Sequence, residues 1–159
     1  MQTPEPFLPP RVGDPVERSP RARTAVSGYW GERLAWIAGL VLAISAFTSW
    51  YGGQSADGLS LSVTGWHTGA LGKLVFFIGL ATLILEALRE AGIELPATVP
   101  EPLVLVALGS LATIFVLIRL ISIPDTFFGT AGRSIGIVIA LFAALALIAA
   151  GLLRAAEEL

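Results

Sequence analysis

Four long apolar runs, separated by short polar segments, divide the chain. They cover residues 34–50, 71–88, 103–121 and 135–153. Each is close to the roughly 20 mostly apolar residues that a helix needs to cross a bilayer core. None contains proline, charged residues occur only near their ends, and apolar residues surround each helix instead of forming one stripe. The pattern predicts an all-α membrane protein, a bundle of four transmembrane helices.

The composition agrees with a membrane class. Of 159 residues, 55% are hydrophobic and only 14% are charged, whereas a typical soluble domain has about 25% charged residues. The formal net charge is −2 and the basic residues are scattered, so no nucleic-acid partner is predicted. The chain has no cysteine, which excludes disulfides, thiol nucleophiles and thiolate metal sites.

Prolines set the amino-terminal segment apart from the rest of the chain. They occur at positions 4, 6, 9, 10, 15 and 20, and such a segment lacks the donors and apolar area for a packed core. We therefore predict a disordered Pro/Arg-rich tail over residues 1–29 and one transmembrane domain over residues 30–159.

Basic residues near the spans predict the direction of insertion, because Lys and Arg favour the cytoplasmic side. With the amino terminus inside, the inner side holds Arg11, Arg18, Arg21, Arg23, Arg33, Arg89 and Arg154. The outer side then holds Lys73, Arg119 and Arg133. This asymmetry predicts a multi-pass plasma-membrane protein with both termini in the cytoplasm.

The first outer loop, "SWYGGQSADGLSLSVTGWHTG" over residues 49–69, contains a strand-like pattern. Leu59, Leu61 and Val63 alternate with serines, which predicts a short β-strand in a small extracytoplasmic cap. A single strand needs a partner, and we expect one in the segment "SIPDTFFGT" of the other outer loop or in another subunit. Trp50 and Trp66 flank the loop, where an aromatic belt at the bilayer boundary is expected.

Small residues at four-residue spacing indicate helix packing, because small side chains let helices approach closely in lipid. The candidates are Ala35, Gly39 and Ala43 in the first span and Gly132, Gly136, Ala140 and Ala144 around the fourth. Two interpretations stay open. The stripes pack helices of one chain, or they form the interface of a homo-oligomer or of a complex with a partner protein.

Ionisable residues offer little catalytic chemistry. No hydrolase, zinc-protease or phosphate-loop motif is present and His67 is the only histidine, so we predict no enzyme, no cofactor and no metal site. Lys73 and Arg119 lie near the outer ends of their spans, where both can reach the interface. Pro124 breaks the third helix, which could fold Asp125 back toward either cation.

The first outer loop and its flanks also carry a family resemblance. "FTSWY", a Gly-rich loop, "TGWHTG", "GKL" opening the second span and "RLISIPD" closing the third occur in this order. This layout, over residues 30–155, resembles uncharacterised four-helix integral membrane proteins of high-GC Gram-positive bacteria. The loop also resembles that of claudin-type tetraspan proteins, although this chain lacks their cysteine pair. The resemblance implies location and architecture without a reaction.

Three functional hypotheses follow. The leading one is a structural or accessory subunit that binds itself or another membrane protein within the lipid bilayer. The alternatives are a small oligomeric channel or transporter, and a binder of lipid or a small ligand at the outer leaflet. The candidate partner or ligand surface comprises Trp50, Leu59, Leu61, Trp66, Lys73, Arg119 and Asp125.

Overall fold

The computed structural model describes residues 20–54, 58, 60–93, 100–122 and 132–158, with side chains from Tyr29 onward in the first helix. Within these residues the chain is mostly helical, with four long helices and one three-stranded sheet. In chain order the elements are α1 (Pro20–Ser45), β1 (Ser49–Gln54), β2 (Ser60–Thr64), a 3-10 turn (Gly65–Thr68), α2 (Ala70–Glu90), α3 (Glu101–Ile121), β3 (Gly132–Arg133) and α4 (Ile135–Glu158).

Three of these helices, α2, α3 and α4, are long and apolar enough to cross a membrane. Their bounds agree with the predicted second, third and fourth spans to within a few residues, apart from extra turns at the end of α4. Three of the four predicted spans therefore form helices with the length and composition that a membrane crossing requires.

Helix α1 differs most from its prediction. It begins at Pro20, so residues 20–29, which the composition placed in the tail, form its first turns. Proline is compatible with a first helical turn because the amide there has no intrahelical partner. The helix ends at Ser45, although the apolar run that predicted it continues to Trp50.

Side chains close the end of α1. The Ser45 hydroxyl donates to the Leu42 carbonyl at 2.6 Å. The Ser45 carbonyl accepts from the Thr48 hydroxyl at 2.7 Å and from the Trp50 indole at 2.8 Å. The final carbonyls of a helix need partners from outside the helix, and these polar groups supply them just where hydropathy alone predicts continuation.

The predicted strand is confirmed over Ser60–Thr64, but its neighbour is not the expected segment. Strand β1 lies between β2 and β3 and is antiparallel to both. Most of the expected partner, residues 123–130, lies outside the described residues, as does Leu59. The pairing segment "SWYGGQ" was missed because its glycines are typical of a turn.

The four helices pack side by side, with α1 against α2 and α4, and α3 against α4 and α2. Glycines make the crossings close. A Cβ placed on Gly79 would lie 2.6 Å from the Ala43 nitrogen, and one on Gly109 would lie 2.8 Å from the Ile148 nitrogen. The core between the helices contains buried aliphatic residues, among them Leu42, Leu105 and Leu147.

Candidate functional surfaces at the two ends

The helices have two unlike ends. The sheet end contains the three strands and the 3-10 turn. The loop end contains the last turn of α2, the first turn of α3, the last turns of α4 and the part of α1 around Glu32 that lies beside them. All candidate surface residues from the sequence were expected at the sheet end.

Trp50 lies in the core instead of on a surface. It has no exposed area, and its indole N–H donates to the Ser45 carbonyl. Leu61 is 37% exposed on β2. Leu59 and Asp125 lie outside the described residues, so the predicted pairing of Asp125 with Arg119 or Lys73 stays a prediction.

An aromatic cluster surrounds Trp66, with Trp66 and Phe76 partly buried and Phe47 and Phe77 exposed. The Trp66 ring stacks on Phe47 with a centroid distance of 5.5 Å and meets Phe76 edge to face at 5.4 Å. The Lys73 ammonium lies 5.6 Å from the Trp66 ring centroid, within the range of a cation–π interaction. Phe77 packs edge to face on Phe76. We call these five residues, Phe47, Trp66, Lys73, Phe76 and Phe77, the Trp66 surface.

Arg119 also lies at the sheet end, beside the turn at Gly69. A Cβ on Gly69 would lie 2.8 Å from the Arg119 Nη2 atom. The Tyr51 hydroxyl donates to the Arg119 carbonyl at 2.5 Å, and the Arg133 Nε–H donates to the Leu120 carbonyl at 2.6 Å. Burial raises the pKa of Tyr51, and the nearby Arg119 and Arg133 charges oppose that rise. These contacts anchor the sheet to α3.

A buried ion pair lies at the loop end. The Arg154 Nη2 atom donates to the Glu86 Oε2 atom at 2.7 Å, and these side chains are 4% and 1% exposed. The Glu101 Oε1 atom lies 3.9 Å from the Arg154 Nη1 atom. Arg89 lies 3.5 Å from Glu101 and 3.7 Å from Glu32. These five residues, the loop-end ion cluster, connect all four helices.

The sequence did not indicate the Glu86–Arg154 pair. Helical spacing placed Glu86 beside Arg89, three residues later, but the structure pairs Glu86 with Arg154, 68 residues away. The sequence did contain one indication of this pair. Glu86 and Arg154 are the charged residues nearest to the apolar run at the later end of their helices. Helices α2 and α4 run in the same direction, from the sheet end to the loop end, so the late ends of both helices lie at the loop end.

The predicted small-residue stripes lie largely inside the protein. Ala35, Gly39, Ala43, Gly136, Ala140 and Ala144 are all buried. A Cβ on Gly39 would lie 3.0 Å from the Thr82 Cγ2 atom, and one on Gly136 would lie 2.5 Å from the Ser49 carbonyl oxygen. Gly132 is exposed in β3, before α4 begins, so it is not on the helical stripe.

Buried hydroxyls bond to backbone carbonyls. Ser45, Thr68 and Thr82 donate to carbonyl oxygens three or four residues earlier. Among the described residues, no group of three metal-ligating side chains occurs. No family model, curated protein or solved structure matches the chain. The resemblance to four-helix proteins of high-GC Gram-positive bacteria therefore stays a prediction.

Proposed function

We propose that this chain is a plasma-membrane protein of four spans that acts as a structural or accessory subunit. It binds another membrane protein, or a second copy of itself, through the Trp66 surface. The sheet end faces outward and both termini are cytoplasmic. The partly exposed aromatic cluster around Trp66 is the observation that carries the proposal.

The packing of α1 supports a fourth span. This helix contacts two of the candidate spans, α2 and α4. Its outer face is apolar, with Ile37, Leu40 and Ile44 each about half exposed. A helix that packs between two spans and has an apolar outer face favours contact of that face with lipid, as its neighbours do.

The chemistry of the Trp66 surface supports partner binding. Aromatic side chains are enriched where proteins bind one another, since they bury large apolar areas at low entropic cost. Phe47 and Phe77 are each 53% exposed. The small-residue stripes are already covered by this chain's own helices, so they leave little surface for a partner.

Two other functions have less support. A channel needs a polar lining, but the buried hydroxyls of Ser45 and Thr82 already donate to their own helices. A lipid binder at the outer leaflet is favoured by the contact between Lys73 and Trp66, because such a pair suits a phosphate beside an apolar surface.

Photocrosslinking tests the partner proposal. A photoreactive amino acid at Phe77 in the native membrane should yield one discrete protein adduct, which Trp66→Ala should weaken. The matched control is Phe142, an exposed aromatic residue on α4 that is 68% exposed. Adducts of equal yield at both positions, or lipid adducts alone, would contradict a partner site at the Trp66 surface.

A mass measurement of the intact complex, after gentle detergent extraction, identifies what binds. A complex with a different protein supports an accessory subunit, and a homo-oligomer that Trp66→Ala dissociates supports self-assembly. A monomer that carries only lipid would contradict both and favour the outer-leaflet binder.

A further inference from the structure

A groove between α1 and α2 at the loop end combines charged, aromatic and apolar walls. Its volume is about 510 Å3, and its lining residues are Tyr29, Glu32, Arg33, Trp36, Ile37 and Glu90. None of them belongs to the Trp66 surface. The groove therefore provides a second surface, at the opposite end of the helices.

Its polar groups are held by neighbours. The Trp36 indole N–H donates to the Glu90 Oε1 atom at 2.9 Å, which joins the two helices. The Arg33 guanidinium carbon lies 4.8 Å from the Tyr29 ring centroid. The Glu32 carboxylate lies 3.7 Å from the Arg89 Nε atom. Groups that are already ordered lose less conformational entropy when a ligand binds.

The charges in the groove have both signs. A simple anion would meet the carboxylates of Glu32 and Glu90, and a simple amine would meet the guanidinium of Arg33. A zwitterion with a phosphate and an amine satisfies both. Arginine suits phosphate through paired N–H donors, and carboxylates accept strong hydrogen bonds from a primary ammonium. A quaternary ammonium has no N–H to donate.

An apolar path leads out of the groove along α1. Ile37 lines the groove, and Leu40 and Ile44 follow it on the same helical face. Their exposed fractions are 59%, 49% and 54%. At about 1.5 Å per residue this path is roughly 10 Å long, which fits within the roughly 15 Å of hydrocarbon in one leaflet.

We propose that this groove binds one aminophospholipid of the phosphatidylethanolamine class from the leaflet at the loop end. Arg33 binds the phosphate, and the carboxylates of Glu32 and Glu90 accept hydrogen bonds from the ammonium. Ile37, Leu40 and Ile44 contact one acyl chain. The inference rests on the proposed membrane insertion of α1, but it is independent of the partner site at the sheet end.

Native mass spectrometry of the purified full-length protein in detergent tests the proposal. Phosphatidylethanolamine, phosphatidylcholine and phosphatidylglycerol with identical acyl chains are added in turn. We expect retention of the ethanolamine lipid to exceed that of the choline lipid by about tenfold, a factor typical of one charge-assisted hydrogen bond. Equal retention of the three lipids, or a preference for the glycerol lipid, would overturn the proposal.

Variants separate the two halves of the headgroup site. Arg33→Gln should lower retention of all three lipids. Glu90→Gln keeps an acceptor for the Trp36 indole and should lower retention of the ethanolamine lipid alone. Arg133→Gln, at the sheet end and outside the Trp66 surface, removes the same charge from an exposed arginine and is the matched control, which should leave retention unchanged. An equal loss in the Arg133 variant would show nonspecific lipid binding and would contradict the site.

Soluble glycerophosphoethanolamine distinguishes a lipid from its headgroup. Displacement of the lipid by an equal concentration of this compound would show that the acyl path contributes nothing. Alkaline extraction of native membranes tests the premise separately. A protein that stays in the membrane but shows no lipid preference contradicts the groove alone, whereas a protein released into solution contradicts membrane insertion itself.

Discussion

The two ends of the protein are held together by different interactions. At the sheet end, backbone hydrogen bonds of three strands and the buried rings of Trp50 and Tyr51 connect the segments between helices. At the loop end, the charged pair of Glu86 and Arg154 is buried where the four helices meet. The comparison shows two ways to hold polar groups next to an apolar core.

The difference has an energetic consequence. A lost backbone or hydroxyl hydrogen bond costs about 1 kcal/mol, whereas an unpaired buried charge costs about 3–5 kcal/mol. The stability of the loop end therefore depends strongly on one contact, while that of the sheet end is distributed over many contacts. Single substitutions should separate the two ends.

The largest effect is expected from Arg154→Met, which leaves the Glu86 carboxylate buried without its partner. We expect a loss of about 3–5 kcal/mol in the free energy of unfolding, measured by denaturant titration in detergent micelles. The double variant with Glu86→Leu should recover most of this loss, because an apolar pair of similar volume often replaces a buried ion pair without cost. A single variant as stable as the wild type would contradict the buried pair.

A smaller effect is expected from Gly136→Ala at the sheet end, where the new Cβ would lie 2.5 Å from the Ser49 carbonyl oxygen. Overpacking of this kind costs about 1–3 kcal/mol. Gly132→Ala is the control, since a Cβ there would lie 3.7 Å from its nearest atom. Equal thermal stability of the two variants would contradict the close approach of α4 to the end of α1.

Tyr51→Phe should cost about 1 kcal/mol at neutral pH, because the hydrogen bond to the Arg119 carbonyl is lost. Burial raises the pKa of Tyr51 in the folded protein, so the neutral phenol favours folding. This contribution is complete below the unfolded pKa of about 10 and is lost as the pH rises through the folded pKa.

The melting temperature should therefore fall more steeply above about pH 10 in the wild type than in Tyr51→Phe. Tyr29→Phe, which removes a hydroxyl from an exposed ring at the loop end, serves as the control and should keep the wild-type profile. Identical alkaline profiles for the wild type and Tyr51→Phe would argue against burial of Tyr51.

The smallest effect is expected from Arg89→Met in the same ion cluster as Arg154. The Arg89 side chain is 41% exposed and its carboxylate partners lie at 3.5 Å or more. Solvent screens such pairs, so the expected loss is at most about 1 kcal/mol by denaturant titration. A loss equal to that of Arg154→Met would contradict the distinction between buried and exposed members of the cluster.

The sequence predicted the features that depend on long apolar runs. The apolar helices α2, α3 and α4 and the strand at Ser60–Thr64 follow from hydropathy and alternation, which are local. The end of α1 at Ser45 was not predicted, because hydroxyl and indole groups interrupt a helix that hydropathy would continue. Strand β1 was not predicted, because its glycines are typical of a turn.

A local sequence pattern did not predict the contacts that depend on the folded structure. Glu86 was placed beside Arg89 by helical spacing, but its partner is on another helix. Trp50 was placed on a surface because it ends an apolar run, yet the hairpin buries it. The contact between Trp66 and Lys73, seven residues apart, depends on the 3-10 turn that connects β2 to α2.

Four membrane crossings, with the sheet end outside, are the central claim, and single-cysteine labelling tests them directly because the chain has no native cysteine. Thr3→Cys, Ser62→Cys and Ala156→Cys report on the tail, the exposed strand β2 and the end of α4. In intact cells an impermeant maleimide should label only the variant at position 62, and permeabilisation should expose the other two. Labelling of positions 3 and 62 from the same side would show that α1 does not cross the membrane and would contradict the account.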